Sequence, residues 1–191
     1  MGSPKALVPF RGRTFLEHLL EVIEDAKTNC EPEYGIGATR VVLGAHTEEI
    51  TRKLALDPGS VVVNPEWQRG QLSSIQAAIR SLREETDGII VFLVDHPLVN
   101  AALVGALVRQ FYSSDRPIVL PTFRGKRGHP VIFARRLYPE LLSAPHETGA
   151  RAVVWAHAAE VLEVPTEEEG VVLNLNDPET LRRVLGNSSK T

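Results

Sequence analysis

The stretch from Gly88 to Val94, GIIVFLV, constrains the fold of this chain more than any other feature. It has no polar side chain and no alternation, and it is rich in β-branched residues. A short run of this kind predicts a strand covered on both faces, as in a parallel sheet with helices above and below. The run stops at Asp95-His96-Pro97, which turns the chain and sets a carboxylate just past the strand.

Around this run the pattern alternates between helix and strand. Thr14 with Glu17 three residues later is a capping-box signature, and Phe15, Leu16, Leu19, Leu20 and Ile23 then recur at helical spacing, predicting a helix to about Lys27. A short strand over Arg40 to Leu43 ends at Gly44, a polar-faced helix runs from Thr47 to Leu54, and Asp57-Pro58-Gly59 is a turn. Val61 to Val63 is a strand stopped by Asn64-Pro65, and Leu72, Ile75, Ile79 and Leu82 mark a helix over Gln71 to Leu82. Asn100 is placed to cap a helix over Ala101 to Phe111. Strands over Ile118 to Pro121 and Pro130 to Ala134 flank a basic turn, Arg124 to Gly128. Helices near Leu137 to Leu142 and Ala150 to His157, strands at Val161 to Val164 and Val171 to Leu173, and a helix from Pro178 capped by Asp177 complete the chain.

This order predicts an α/β fold: a Rossmann-like three-layer αβα sandwich with a mostly parallel sheet, forming a single domain over residues 1–186 with a disordered tail at 187–191. The length of 191 residues, with 43% apolar and 24% charged side chains, fits one such domain and rejects wholesale disorder. A net charge of −3 argues against a general nucleic-acid binder but allows a small anionic substrate held by a few Lys and Arg residues. The lone Cys30, in a loop-like context, excludes an intramolecular disulfide and a cysteine zinc site. No run approaches the roughly 20 apolar residues of a membrane helix, and no signal peptide is evident, so no membrane association and a cytoplasmic location are expected.

In open α/β sheets ligands sit beyond the carboxyl ends of the strands. That selects Asn64 to Gly70, Asp95 to Pro97, and Asn174 to Asp177. Asp95 suits a hard cation such as Mg²⁺, and it equally suits the start of a turn before Pro97. Asn174 and Asn176 would share a face of an extended segment, although Asp177 as a helix cap explains the cluster more simply. In the segment from Asn64 to Ser74, Gly70 allows close backbone approach, and Ser73 and Ser74 lie near a helix N-terminus that favours anions. A plain capping loop has the same composition. Lys5 by itself reads as solvated surface, and the six histidines show no metal-ligand spacing. Walker A, dinucleotide-fingerprint and Gly-x-Ser-x-Gly patterns are not found.

In order, however, the segments Met1-Gly2-Ser3-Pro4-Lys5-x-Leu7, Gly12-x-Thr14-x-Leu16, Asn64-x-x-Trp67-x-x-Gly70-x-x-x-Ser74, Val94-Asp95-x-Pro97, Gly128-His129-Pro130, Gly149-Ala150-Arg151 and Asn176-Asp177-Pro178-Glu179 resemble the MobA-like nucleotidyltransferases, most of all the molybdenum cofactor cytidylyltransferase branch. The resemblance implies a nucleotide-diphospho-sugar transferase type of fold. It implies transfer of a nucleoside monophosphate from an NTP, CTP favoured, to a phosphorylated small-molecule acceptor such as molybdopterin. Guanylyl transfer and sugar-phosphate acceptors are the alternatives within the class. By the same resemblance Lys5 contacts the NTP phosphates, Asp95 and Asn176 hold Mg²⁺, Asn64, Gly70, Ser73 and Ser74 form the nucleotide loop, and Gly128, His129, Pro130 and Arg151 meet the acceptor.

The family's first strand and its glycine-rich loop, of the form Leu-Ala-Ala-Gly-x-Ser-x-Arg-Met-Gly, would precede Ser3, where only Met1 and Gly2 stand. Without that central strand its two neighbours are expected to expose unpaired backbone and apolar faces. A misassigned start, a non-catalytic remnant acting as a partner domain, and closure by rearrangement or by another protomer are the competing accounts. The last makes a homo-oligomer through the incomplete sheet an expectation.

Overall fold

The computed structural model describes residues 4–30, 35–82 and 86–187. Pro4 leads into a 3-10 turn, Lys5–Leu7, and a small hairpin of β1 (Pro9–Phe10) and β2 (Arg13–Thr14), neither of which the sequence pattern predicted. Both arms of the expected capping box form at the start of α1 (Phe15–Asn29): Thr14 Oγ1 accepts from the Glu17 N–H, and Glu17 accepts from the Thr14 N–H at 2.8 Å. The next elements are β3 (Val41–Leu43), α2 (Thr47–Lys53), β4 (Val61–Val63), α3 (Gln71–Ser81) and β5 (Gly88–Val91). After them come α4 (Ala101–Ser113), β6 (Ile118–Phe123), β7 (Lys126–Arg127), β8 (Val131–Ala134), α5 (Tyr138–Ser143), α6 (Arg151–Ala156), β9 (Val161–Pro165) and α7 (Pro178–Asn187). Of the tail expected at 187–191, residues 188–191 lie outside the described residues.

The larger sheet has the order β5-β8-β6-β7, with β9 also paired to β6. β8 is antiparallel to both β5 and β6, so those two run the same way, and β9 is parallel to β6. β3 and β4 form a separate parallel pair. Leu43 and Val94 meet Ala6 and Leu7 in one apolar cluster, which puts the carboxyl ends of β3 and of the β5 segment on the same side. Five strands thus share one direction against β7 and β8, the mostly parallel α/β arrangement expected.

Side-chain alternation builds the layers. Ile118, Leu120, Val131 and Phe133 face α3, α5 and α6 through Ile75, Ile79, Leu141 and Val153. Val119 and Ile132 face the opposite way, onto Val22, Ala26, Leu103 and Leu107 of α1 and α4. Period-two faces of one sheet therefore serve two helix layers.

Two expectations change. The apolar run is a strand only to Val91, and residues 88–94 are half-buried instead of enclosed. The cause is a groove of about 820 Å³ between the facing edges of β3 and β5, walled by α1 and α3. Among the described residues, neither strand pairs on that side. The strand expected over Val171 to Leu173 is instead a 3-10 turn, Glu169–Val171. A Cβ on Gly170 would come within 2.6 Å of Leu98 Cβ, and the Val171 carbonyl accepts the His129 N–H at 2.8 Å. This segment bonds to neighbouring loops, so it has no strand to pair with.

Removing the α1 cap provides a check on this architecture. Thr14→Ala should destabilise the chain by about 0.5–2 kcal/mol, seen as a lower urea midpoint at unchanged slope.

Candidate active site

At the carboxyl edge of the sheet the backbone brings together residues far apart in sequence. The Asp95 carbonyl accepts the Leu175 N–H at 2.7 Å. Leu175 is fully buried with Val8, Phe10 and Phe15, so this bond is anchored from below. Asn176, the next residue, is thereby delivered to Asp95. Lys5 arrives from the other side, on a turn pinned by buried Ala6 and Leu7. Its Nζ donates to Asp95 Oδ2 at 3.1 Å and to Asn176 Oδ1. The Asp95 side chain is 17% exposed and that of Lys5 44%, so the cluster opens to solvent.

Two oxygens, one carboxylate and one amide, thus converge on a single cation. A hard divalent ion suits such donors, and Mg²⁺ commonly takes one or two protein oxygens and fills its sphere with phosphates and water. Among the described residues no three His, Cys, Asp or Glu side chains gather into a fuller site.

The nucleotide-loop candidates form a second cluster. The Asn64 N–H bonds to the Leu43 carbonyl at 2.7 Å, tying the loop to β3. Its side chain is 3% exposed. Its Nδ2 donates to Ser73 Oγ at 2.8 Å and Ser74 Oγ at 3.1 Å, and its Oδ1 accepts the Glu66 N–H at 2.9 Å. Ser73 Oγ donates to the Gly70 carbonyl at 2.7 Å. Gly70 has φ +93°, a conformation glycine adopts without strain. Trp67 covers Gly44 so closely that a Cβ there would overlap its side chain. Ser74, Lys5 and Asp95 line one continuous groove, so the loop and the charged centre share a cleft.

Among the residues expected to meet the acceptor, a Cβ on Gly128 would come 2.5 Å from the Val171 carbonyl oxygen. His129, before Pro130, packs its ring 5.2 Å from that of His96, which is 8% exposed and directly follows Asp95. The Gly170 and Val171 backbone lies beside the His96 ring and opposes part of the effect of burial. Burial pushes both imidazoles down, His129 to about 4, and neither Nδ1 has a hydrogen-bond partner. Both rings are therefore neutral at neutral pH. Arg151 stands apart from the centre: its guanidinium lies 5.9 Å from the Trp155 ring centroid on α6, and it does not line the groove.

The carboxyl-end rule takes in His96 and Leu175 within its ranges, but marks neither as a site residue. The position of His96 beside Asp95 was the one available signal. Leu175 looked like any apolar residue, because its role lies in its backbone. Of the first quoted motif, Met1, Gly2 and Ser3 lie outside the described residues.

Comparison with known proteins yields a family model, the MobA-like NTP transferase domain, matching residues 1–161. A nicotine blue oxidoreductase of Paenarthrobacter nicotinovorans is 31% identical over 160 residues, covering 78% of this chain and 72% of that one. The crystal structure of Rv0371c from Mycobacterium tuberculosis is 25% identical with a TM-score of 0.81, over 97% of this chain and 91% of that one. Its complex with manganese superposes at a TM-score of 0.79, with 24% identity over 96% and 91% of the two chains. Among the described residues no helix is long and apolar enough to cross a membrane.

Two measurements follow from this geometry. Above the ordinary imidazole range both buried rings are neutral in the folded and unfolded chain alike. Below about pH 6.5 the unfolded chain takes up protons that the folded chain refuses, so stability falls until His129 itself titrates near 4. Urea denaturation between pH 7 and 4 should show that loss, and His129→Gln should flatten it. Leu175→Ala should cost about 2–5 kcal/mol through the cavity it leaves, read as a lower denaturation midpoint.

Proposed function

The chain belongs to the MobA-like NTP transferase family, and from that premise we propose that it transfers a nucleoside monophosphate from an NTP to a phosphorylated small-molecule acceptor, releasing pyrophosphate. The observation that carries this reading is the meeting of Lys5, Asp95 and Asn176 at the mouth of a cleft shared with Ser74. An acceptor phosphate oxygen attacks the α-phosphorus in line, and the bond from that phosphorus to the bridging oxygen of the β-phosphate breaks. No protein nucleophile takes part.

Asp95 and Asn176 would hold the divalent ion, Mg²⁺ in our reading, which neutralises charge on the phosphoryl oxygens. The manganese bound by the Mycobacterium tuberculosis protein supports a divalent ion in this fold. Lys5 presents its ammonium to the polyphosphate. Gly70 offers unobstructed backbone to the nucleotide, and Ser74 faces the cleft, while Asn64 and Ser73 hold the loop in shape. In this reading Gly128, His129 and Pro130 border the acceptor side with a neutral surface, while Arg151, which stands apart from the centre, is given no contact. CTP and molybdopterin are the substrate pair we infer, on the motif resemblance to the cytidylyltransferase branch, with guanylyl transfer and sugar-phosphate acceptors as alternatives.

A second reading rests on the relative named an oxidoreductase, which covers most of this chain: the same cleft would hold a redox substrate. A third, a non-catalytic partner domain, rests on the open groove between β3 and β5. Pyrophosphate release separates them. With CTP, Mg²⁺ and molybdopterin the transferase reading requires stoichiometric pyrophosphate. Asp95→Ala should lower that rate by about 10²–10³, the usual loss when one charge-stabilising group is removed. Undiminished turnover by Asp95→Ala would remove Asp95 from the centre.

A further inference from the structure

We infer that Lys5 is a built-in counter-cation that competes with the divalent ion for Asp95 and Asn176, so that the metal binds well only when a polyphosphate draws the ammonium away. This rests on the proposed function, and it adds an order to binding that the function does not require.

Lys5 Nζ bonds to the same two oxygens a metal would use. Metal–oxygen contacts of about 2.0–2.1 Å for Mg²⁺ leave no room for an ammonium on those atoms as well. Charge points the same way. Among the described residues Asp95 is the one carboxylate bonded to Lys5, and the pair sums to zero. A divalent ion added beside an unmoved Lys5 would leave an excess of two positive charges on the pair, and among the described residues no group of three His, Cys, Asp or Glu side chains gathers to offset it. A triphosphate supplies the missing negative charge.

The movement required is small. Ala6 and Leu7 are buried and fix the backbone, while the Lys5 side chain is 44% exposed on a flexible four-carbon stem. The ammonium can swing from the carboxylate to a phosphate without displacing the turn. Metal and nucleotide then bind with positive coupling, and by linkage each raises the affinity of the other by the same factor. In the absence of nucleotide the ion pair keeps Asp95 neutralised.

The test uses Mn²⁺ alone and Mn²⁺ with CTP, titrated by calorimetry and by the loss of the free-ion electron paramagnetic resonance signal. The full chain, Lys5→Met, Lys5→Gln and Asp95→Asn are compared. Lys5→Met should bind Mn²⁺ alone more tightly than the unmodified chain, by a factor in the usual coupling range of roughly 5 to 150, and CTP should then add less than it does in the unmodified chain. Lys5→Gln, which keeps a polar side chain, should shift in the same direction, and circular dichroism melts confirm that each variant is folded. Equal Mn²⁺ affinity with and without Lys5, lost in Asp95→Asn, would overturn the competition while leaving the metal centre intact. Absence of Mn²⁺ binding in every form, with CTP present, would remove the metal centre and this inference together.

Discussion

A single backbone hydrogen bond, from the Leu175 N–H to the Asp95 carbonyl at 2.7 Å, sets the geometry on which the site depends. It joins the end of the most apolar segment to the approach of the last helix. Because Leu175 is fully buried, neither partner of the bond can drift without opening the core beneath it. Side-chain charge is then added to a frame already fixed: Lys5 reaches two oxygens whose separation is decided by backbone and packing. This division makes sense physically, because an exposed ion pair alone contributes little and would not hold distant segments in register.

The open groove is the second constraint. Strands β3 and β5 end on the same side and are sandwiched by α1 and α3, yet on the edges facing each other they have no partner among the described residues. Unpaired strand edges beside half-buried Ile, Val and Phe side chains are costly in water and invite another strand. The charged centre sits at the carboxyl mouth of this groove, so whatever pairs with the two edges would end beside Lys5. Fold completion and site completion are one problem here.

Much of this was legible in sequence. The capping box at Thr14, the cap at Asn100, the strands β6 and β8, and the carboxylate after the apolar run all follow from local rules. Asp95 lands where the carboxyl-end rule puts it. What was not legible is long-range. Composition marked Gly88 to Val94 for full enclosure, but enclosure needs a neighbour on each side, and local pattern cannot supply one. Val171 to Leu173 has strand-like composition, but the close approach of Gly170 to Leu98 and of Gly128 to Val171 binds the segment to loops. Asn174 and Asn176 were paired by assuming an extended segment. In the structure Asn176 reaches the centre because Leu175 is bonded to Asp95.

The nucleotide-loop residues show how a motif divides into framework and contact. Asn64 and Ser73 are buried and bonded to one another, to Ser74 and to the Gly70 backbone, so their polar atoms are satisfied within the protein. Leaving such groups unpaired would cost about 1–3 kcal/mol each, and that cost explains why the spacing of these residues is tightly fixed by the loop's shape. Ser74 differs, since it lines the groove with Lys5 and Asp95. The backbone around Gly70 differs too, because its positive φ and missing side chain leave it open to close approach. Contact with a nucleotide would therefore fall to Ser74 and main-chain atoms, with Asn64 acting one layer below. A motif read as a row of ligands is, in three dimensions, a loop whose buried members are hydrogen-bonded to one another.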